Sequence, residues 1–232
     1  MPADTNAMPE REALVRFAKR VSHDLNNFST IVRAYSELLL ADLSESDPMR
    51  RDVAEIHEAA DATVRYLQRV THFARAGSMR RMPTSVDDGI SNALTALATE
   101  HSDRPVHVTL GGGRIHADAG WWRDVVLELL RNAHDAAPAG SAIVIRSAVQ
   151  EALVIVEVED EGGGIPAELR PTITEPFVTS KQGVRGAGIG LAIVAAFVHT
   201  LGGSLQFDRI GGDGSTLRTC ARLVLPADVA TD

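Results

Sequence analysis

The chain has 232 residues, 44% hydrophobic and 23% charged, with a formal net charge of −8. That length holds one large domain or two small ones with a buried core, and the acidic balance excludes a general nucleic-acid binder, which needs a basic surface to displace counterions. The single cysteine, Cys220, excludes an internal disulfide. Residues 1–10 (MPADTNAMPE) lack the basic start and apolar run of a signal peptide, and no apolar stretch approaches ~18 residues. The chain therefore reads as cytoplasmic, with no membrane segment.

After a tail over 1–10, the spacing predicts a helix with apolar positions at Leu14, Ala18, Val21, Leu25, Phe28, Val32, Tyr35 and Leu39. Steps of four and three alternate, the period that holds one stripe against a partner helix. With Val21 and Leu25 in that stripe, His23 is placed on the outer face, with Asp24 beside it and Asn27 one turn on. A second helix is signalled by Asp47 as cap and Pro48 at the first helical position. Val53, Ile56, Ala60, Leu67, Val70 and Ala74 keep the same alternation, with Thr63 its polar member. The connection from Ser44 to Asp47 is short enough to force an antiparallel hairpin over 11–75. Two helices cover only one face of each other, so a second copy is expected to complete a four-helix bundle, making a homodimer through 11–75; a self-sufficient hairpin is the alternative.

Residues 76–83 (AGSMRRMP) read as a linker. Beyond it Thr84 or Ser85 can cap a helix to about Glu100, Val106–Leu110 alternates as a strand, and a helix is predicted over about Gly120–Ala137. Strands follow over Ala142–Val149 and Leu153–Glu159, the second nearly all apolar or β-branched. A Gly-punctuated loop leads into the helix GLAIVAAFVHTL, and a hairpin closes the domain, Gly203–Ile210 and Thr216–Leu225 joined by GGDG. The fold class is α+β: a helical hairpin, then an α/β two-layer sandwich over 84–226, with a tail over 227–232.

Three stretches of the second domain carry chemistry. In ELLRNAHDAA, Glu128 and Asn132 are four apart on one helix face, and an asparagine carbonyl is a suitable hard ligand for Mg²⁺. In VEVEDEGGGIP, Asp160 ends a buried strand at a glycine turn where backbone approaches a flat ligand, and its carboxylate could accept from an exocyclic amine. In GVRGAGIGLAIV, Gly186, Gly188 and Gly190 precede a helix whose free N–H groups favour phosphate oxygens. Each stretch alone is weak, and a solvated Glu–Asn pair or an ordinary glycine turn explains any one of them.

In order and spacing the three together resemble the ATPase domain of sensor histidine kinases, a superfamily shared with gyrase and MutL. LLRNAHDAA is similar to that family's N box, DEGGGIP to its G1 box, EPFVTSK to its F box and GAGIGLAIV to its G2 box. SHDLNN is similar to the H box of the dimerisation and phosphotransfer domain, so the resemblance covers about residues 11–226. It implies ATP and Mg²⁺ as cofactors, autophosphorylation of His23, and transfer to an aspartate of a response regulator, with possible phosphatase activity toward it. Asp24 would be the acid/base partner of His23, and Asn27 would serve dephosphorylation. Asn132 would bind the metal and Glu128 would support its water shell. Asp160 would meet adenine, with Gly162 and Gly164 shaping the base pocket. Gly186, Gly188 and Gly190 would form the lid over the phosphates, Phe177 would pack beneath it, and Lys181 would reach a phosphate. Two departures stand out: Phe28 where many members carry a proline, and Asp135 where many carry a lysine. A dimeric phosphotransfer adaptor with little ATPase activity is the alternative function.

Overall fold

The computed structural model describes residues 7–74, 80–100, 104–179, 188–211 and 218–228. The chain falls into two compact units, Met1–Arg75 with Thr179–Ile189, and Ala76–Val178 with Gly190–Asp232.

The first unit is a hairpin of α1, Ala7–Asp42, and α2, Met49–Ala74. Helix α1 begins at Ala7, so the end of the expected tail is already helical. At the turn, the Asp47 carboxylate accepts the Met49 N–H at 2.8 Å, the cap expected there. Arg50 Nη1 donates to the carbonyls of Leu40 at 2.6 Å and Leu43 at 2.8 Å, satisfying groups that the end of α1 leaves open. Between the helices both sequences keep a period of seven. Helix α1 buries Ser22, Ser29 and Ser36, and α2 buries Val53, Ala60 and Leu67. Ser36 Oγ donates to the Arg33 carbonyl at 2.9 Å and meets His57 Nδ1 at 2.9 Å, and Arg33 pairs with Asp61 at 3.6 Å. The apolar stripe foreseen on α1 faces away from α2. Val21, Leu25, Phe28, Val32, Tyr35 and Leu39 remain 37% to 66% exposed.

The second unit runs β1 (Met82–Ser85), α3 (Val86–Glu100), β2 (Val106–Thr109), β3 (Arg114–Ala117), α4 (Ala119–Ala136), β4 (Ile143–Gln150), β5 (Leu153–Asp160), α5 (Gly190–Thr200), β6 (Ser204–Ile210) and β7 (Arg218–Pro226). Five strands form a mixed sheet in the order β2-β4-β5-β7-β6, parallel between β2 and β4 and antiparallel elsewhere. A separate pair, β1 with β3, corrects the sequence reading twice. Met82 and Pro83 are strand rather than linker, and Arg114–Ala117 was not foreseen as a strand. The rest of the expected linker, Arg80 and Arg81 apart, and most of the GGDG turn lie outside the described residues.

One face of the sheet carries Ile143, Ile145, Val154, Val156, Val158, Leu223 and Leu225, all buried under the helical layer. The α3–α4 contact is close because Gly89 has no side chain; a Cβ there would overlap the Trp122 indole. That indole donates to the Val86 carbonyl at 3.0 Å and stacks on Phe197 of α5 at 5.8 Å between centroids. Asp118 caps α4 by accepting the Trp121 N–H at 3.0 Å, and Ser85 accepts the Asp88 N–H at 3.2 Å at the start of α3. The opposite sheet face is charged: Arg146 pairs with Glu159, and Arg222 with Glu157 at 2.7 Å. The layout is the α+β architecture expected, with a two-layer sandwich after the hairpin.

Candidate active site

Two groups of side chains, one in each unit, are candidates for chemistry. In the hairpin, the His23 side chain is 72% exposed. Its Nδ1 lies 3.3 Å from Asp24 Oδ1 and 3.5 Å from Asn27 Nδ2. These contacts belong to different tautomers. With the proton on Nδ1, the ring donates to Asp24 and its Nε2 lone pair is free in solvent. With the proton on Nε2, Nδ1 accepts from the Asn27 amide. The Asp24 contact is compatible only with the tautomer that leaves the Nε2 lone pair free, and the Asn27 contact only with the other. The helix does the positioning, since residues one and four apart flank the same ring.

In the second unit, α4 and β5 meet at a small cleft of about 100 Å³. Asn132, Asp160 and Gly164, which the sequence reading marked separately, line it together. Apolar walls come from Leu129, Ile165, Leu191 and Phe207, a mixture suited to a flat ring with one polar edge. Asp160 is 7% exposed and its Oδ1 accepts the Gly162 N–H at 2.7 Å. Burial pushes this carboxyl above the ordinary range, against the opposing effects of the Gly162 and Thr219 hydrogen bonds and the Arg104 charge. Gly162 is required where it stands. A Cβ would come within 2.5 Å of Asp160 Oδ1 and 2.9 Å of the Ala136 carbonyl oxygen. Gly164 takes a φ of 81°, in the left-handed region that favours glycine.

Thr219 was not marked from the sequence. It stands on β7 directly opposite Asp160 of β5 and lines the same cleft. A hydroxyl on the inward face of a strand was its only local signal, and the partner strand could not be paired without the fold.

Glu128 is not the solvent-facing residue that a bare Glu–Asn pair would suggest; it is 4% exposed. Its Oε1 accepts from Arg131 Nη1 at 2.8 Å, and Arg131 also holds Glu100 through Nε at 2.9 Å and Nη2 at 2.5 Å. The other oxygen, Oε2, lies 2.7 Å from where a Cβ on Gly190 would sit, and Asn132 Nδ2 lies 3.6 Å from the same point. The bare α-carbon of Gly190 therefore keeps the space between these two side chains open. Asn132 Nδ2 is buried with no hydrogen-bond partner among the described residues. A hard cation binds the amide oxygen and not this nitrogen, so a metal beside Glu128 would require the Asn132 amide to turn and present Oδ1 to the same space. Among the described residues no three His, Cys, Asp or Glu side chains gather, so such a cation would take further ligands from phosphate and water.

Gly188 has a φ of 63°. Lys181 and Gly186 lie outside the described residues. Phe177 is 68% exposed with a φ of 71°, so the packing expected of it is not made among the described residues. No helix of the described residues is long and apolar enough to cross a membrane.

Residues 117–228 match the family of histidine kinase-, DNA gyrase B-, and HSP90-like ATPases. Sensor kinase CckA of Brucella abortus is 30% identical over 226 residues, covering 89% of this chain and 24% of that protein. Sensory histidine kinase/phosphatase NtrB of Rhodobacter capsulatus is 27% identical, covering 91% of this chain and 62% of that protein. The chain thus spans about a quarter to under two thirds of the length of these relatives. The structure of mycobacterial sensor histidine kinase MprB matches with a TM-score of 0.58 at 28% identity, covering 64% of this chain and 98% of that one. Full-length ShkA in complex with AMPPNP shares the fold with a TM-score of 0.69 at 22% identity, over 93% of this chain and 46% of that one.

Proposed function

We propose that the chain is a sensor histidine kinase catalytic core, its residues 117–228 matching the histidine kinase-, DNA gyrase B-, and HSP90-like ATPases, and that it phosphorylates its own His23 from ATP. The observation that carries the reading is the exposed imidazole with Asp24 on Nδ1, in one chain with a cleft that joins Asp160 to Asn132. Nε2 of His23 attacks the γ-phosphorus, the bond to the β–γ bridging oxygen breaks, and ADP leaves. The ring becomes positively charged as the N–P bond forms. Asp24 stabilises that charge through the Nδ1 proton and can accept it. Asp160 receives the exocyclic amine of adenine, and the glycine turn lets the base lie flat against backbone. Asn132 would hold Mg²⁺, with Glu128 orienting its water, and the ion would supply charge neutralisation at the phosphates. Such transfer is mostly positioning, which is what these residues provide.

Phosphohistidine is a phosphoramidate, reactive enough to pass its group to an aspartate. His23 is exposed enough to meet the receiver domain of a response regulator as its second partner. Asn27, one turn from His23, suits the orientation of water toward a bound aspartyl phosphate, giving a phosphatase step. The uncovered stripe on α1 suits a homodimer through 11–75. ATP as substrate and the free, buried Cys220 fit a cytoplasmic reaction.

Incubation with γ-labelled ATP tests the proposal. The unchanged protein should acquire label that resists alkali and is lost in acid. His23→Gln should take up none while still binding ADP. Label retained by that variant would move the acceptor to another residue.

A further inference from the structure

Strand β6 alternates, and Leu205, Phe207 and Arg209 point from the same side of it, toward the helical layer. The first two are half-buried and the third is exposed at the end of the row. An arginine thus occupies the next inward position after an aromatic wall of the nucleotide cleft. Its stem passes over Gly164. Cγ, Cδ and Nε of Arg209 lie 3.8, 3.5 and 3.4 Å from where a Cβ on that glycine would be. Ile165, Phe207 and Thr219 line both the cleft that holds Asp160 and a neighbouring cleft that holds Arg170 and Arg209, so the two spaces adjoin across these side chains. Arg170 is fixed by its bond from Nε to the Ile165 carbonyl at 3.1 Å. Arg209 has no hydrogen-bond or ion-pair partner among the described residues.

We propose that Arg209 lays its guanidinium on one face of the bound purine and sets the affinity for nucleotide. The inference rests on the reading of the cleft as an adenine site. A base whose amine is held by Asp160 enters the cleft edge-first, so its two faces lie toward the walls, one of them on the side where Arg209 crosses Gly164. A planar, weakly hydrated cation is the side chain that best covers such a face. The positive φ of Gly164 and its bare α-carbon give Arg209 its path over the turn. Gly164 then serves two purposes, a flat seat for the base and a channel for the side chain above it.

The test is calorimetric titration of the full chain with adenosine and with Mg-ADP, for the unchanged protein, Arg209→Met and Arg209→Lys. Methionine keeps a stem over Gly164 and removes the charge and the plane. Arg209→Met should weaken both ligands by the same factor, about 2–30-fold, the range of a cation–π contact. Arg209→Lys should recover part of the loss. The KM for ATP should rise in step with the ADP dissociation constant, with a smaller change in kcat, and the melting temperature without nucleotide should not move. Equal binding by all three proteins overturns the proposal. So does a loss confined to ADP, which would assign Arg209 to phosphate. A drop in nucleotide-free melting temperature accompanied by loss of binding would mark the residue as structural and overturn it as well. If the unchanged protein binds neither ligand, the adenine-site reading fails, and this inference with it.

Discussion

Asp160 shows how one residue can set function against stability. Its carboxyl is buried, and burial raises its affinity for a proton above that of the same group in the unfolded chain. The folded state then holds this proton more tightly. Stability contributed at this site therefore falls as pH rises from the ordinary carboxylate range through the raised value, and the penalty is complete above it. Asparagine can still accept from Gly162 N–H, and its amide can donate to the Thr219 hydroxyl. Asp160→Asn should accordingly raise the melting temperature of nucleotide-free protein at pH 7, and the gain should shrink toward pH 4. The same variant should lose most of the thermal shift produced by Mg-ADP, since a buried amide facing the adenine amine costs ~1–3 kcal/mol. Differential scanning calorimetry across pH, with and without ADP, reads both effects; a nucleotide-free protein that is less stable at neutral pH would contradict the account. Asp160, Glu128 and Asn132 were visible in the sequence because each sits in a short run with its own local signal. Thr219 and Arg209 were not, because each depends on which strand lies beside β5 and which turn lies over β6.

At the scale of elements, what could be read was set by length and period. The two long helices and the nearly continuous apolar strand β5 announce themselves over many residues. Strands β1 and β3 have only four residues each and pair only with one another, and Pro83 argues locally against a strand. The stripe on α1 was legible, but its direction was not. Serines every seventh residue mark the side facing α2, a signal too weakly apolar to register as a seam. Since Leu25 and Val32 are 41% and 44% exposed on the lone hairpin, Leu25→Asp with Val32→Asp should leave helix content intact. In a bundle of two copies the same pair would bury charge, so sedimentation should find monomer where the unchanged protein is dimeric. An unchanged protein that sediments as monomer at micromolar concentration would defeat the bundle. In the second unit, Gly89→Ala pushes a methyl group into the Trp122 indole. Overpacking of this kind costs about 1–3 kcal/mol, and a lower urea midpoint for the ATPase unit should record it.

For the whole molecule, the two compact units predict two separable responses to heat. The hairpin, if it melts as a dimer, should unfold at a temperature that rises with protein concentration. The ATPase unit should be insensitive to concentration and respond to Mg-ADP, by about 2.7 kcal/mol at 100 times the dissociation constant. That corresponds to roughly 5–10 °C for a unit of this size. A single transition moved equally by dilution and by ADP would mean that the units unfold as one. The serine row on α1 bears on a different quantity, the work needed to turn one helix against the other. Ser36 spends its own proton on the Arg33 carbonyl within α1, and its contact with His57 crosses to α2. The Arg33–Asp61 pair is partly exposed and contributes little. A hydrogen bond such as Ser36–His57 is worth ~1 kcal/mol, less than two units of thermal energy. Small hydroxyl-bearing side chains offer no interlocking ridge to climb over. On the α1 side of the seam, resistance to turning thus rests on one hydrogen bond and small side chains, and the apolar grip comes from α2 alone, through Val53, Ala60 and Leu67.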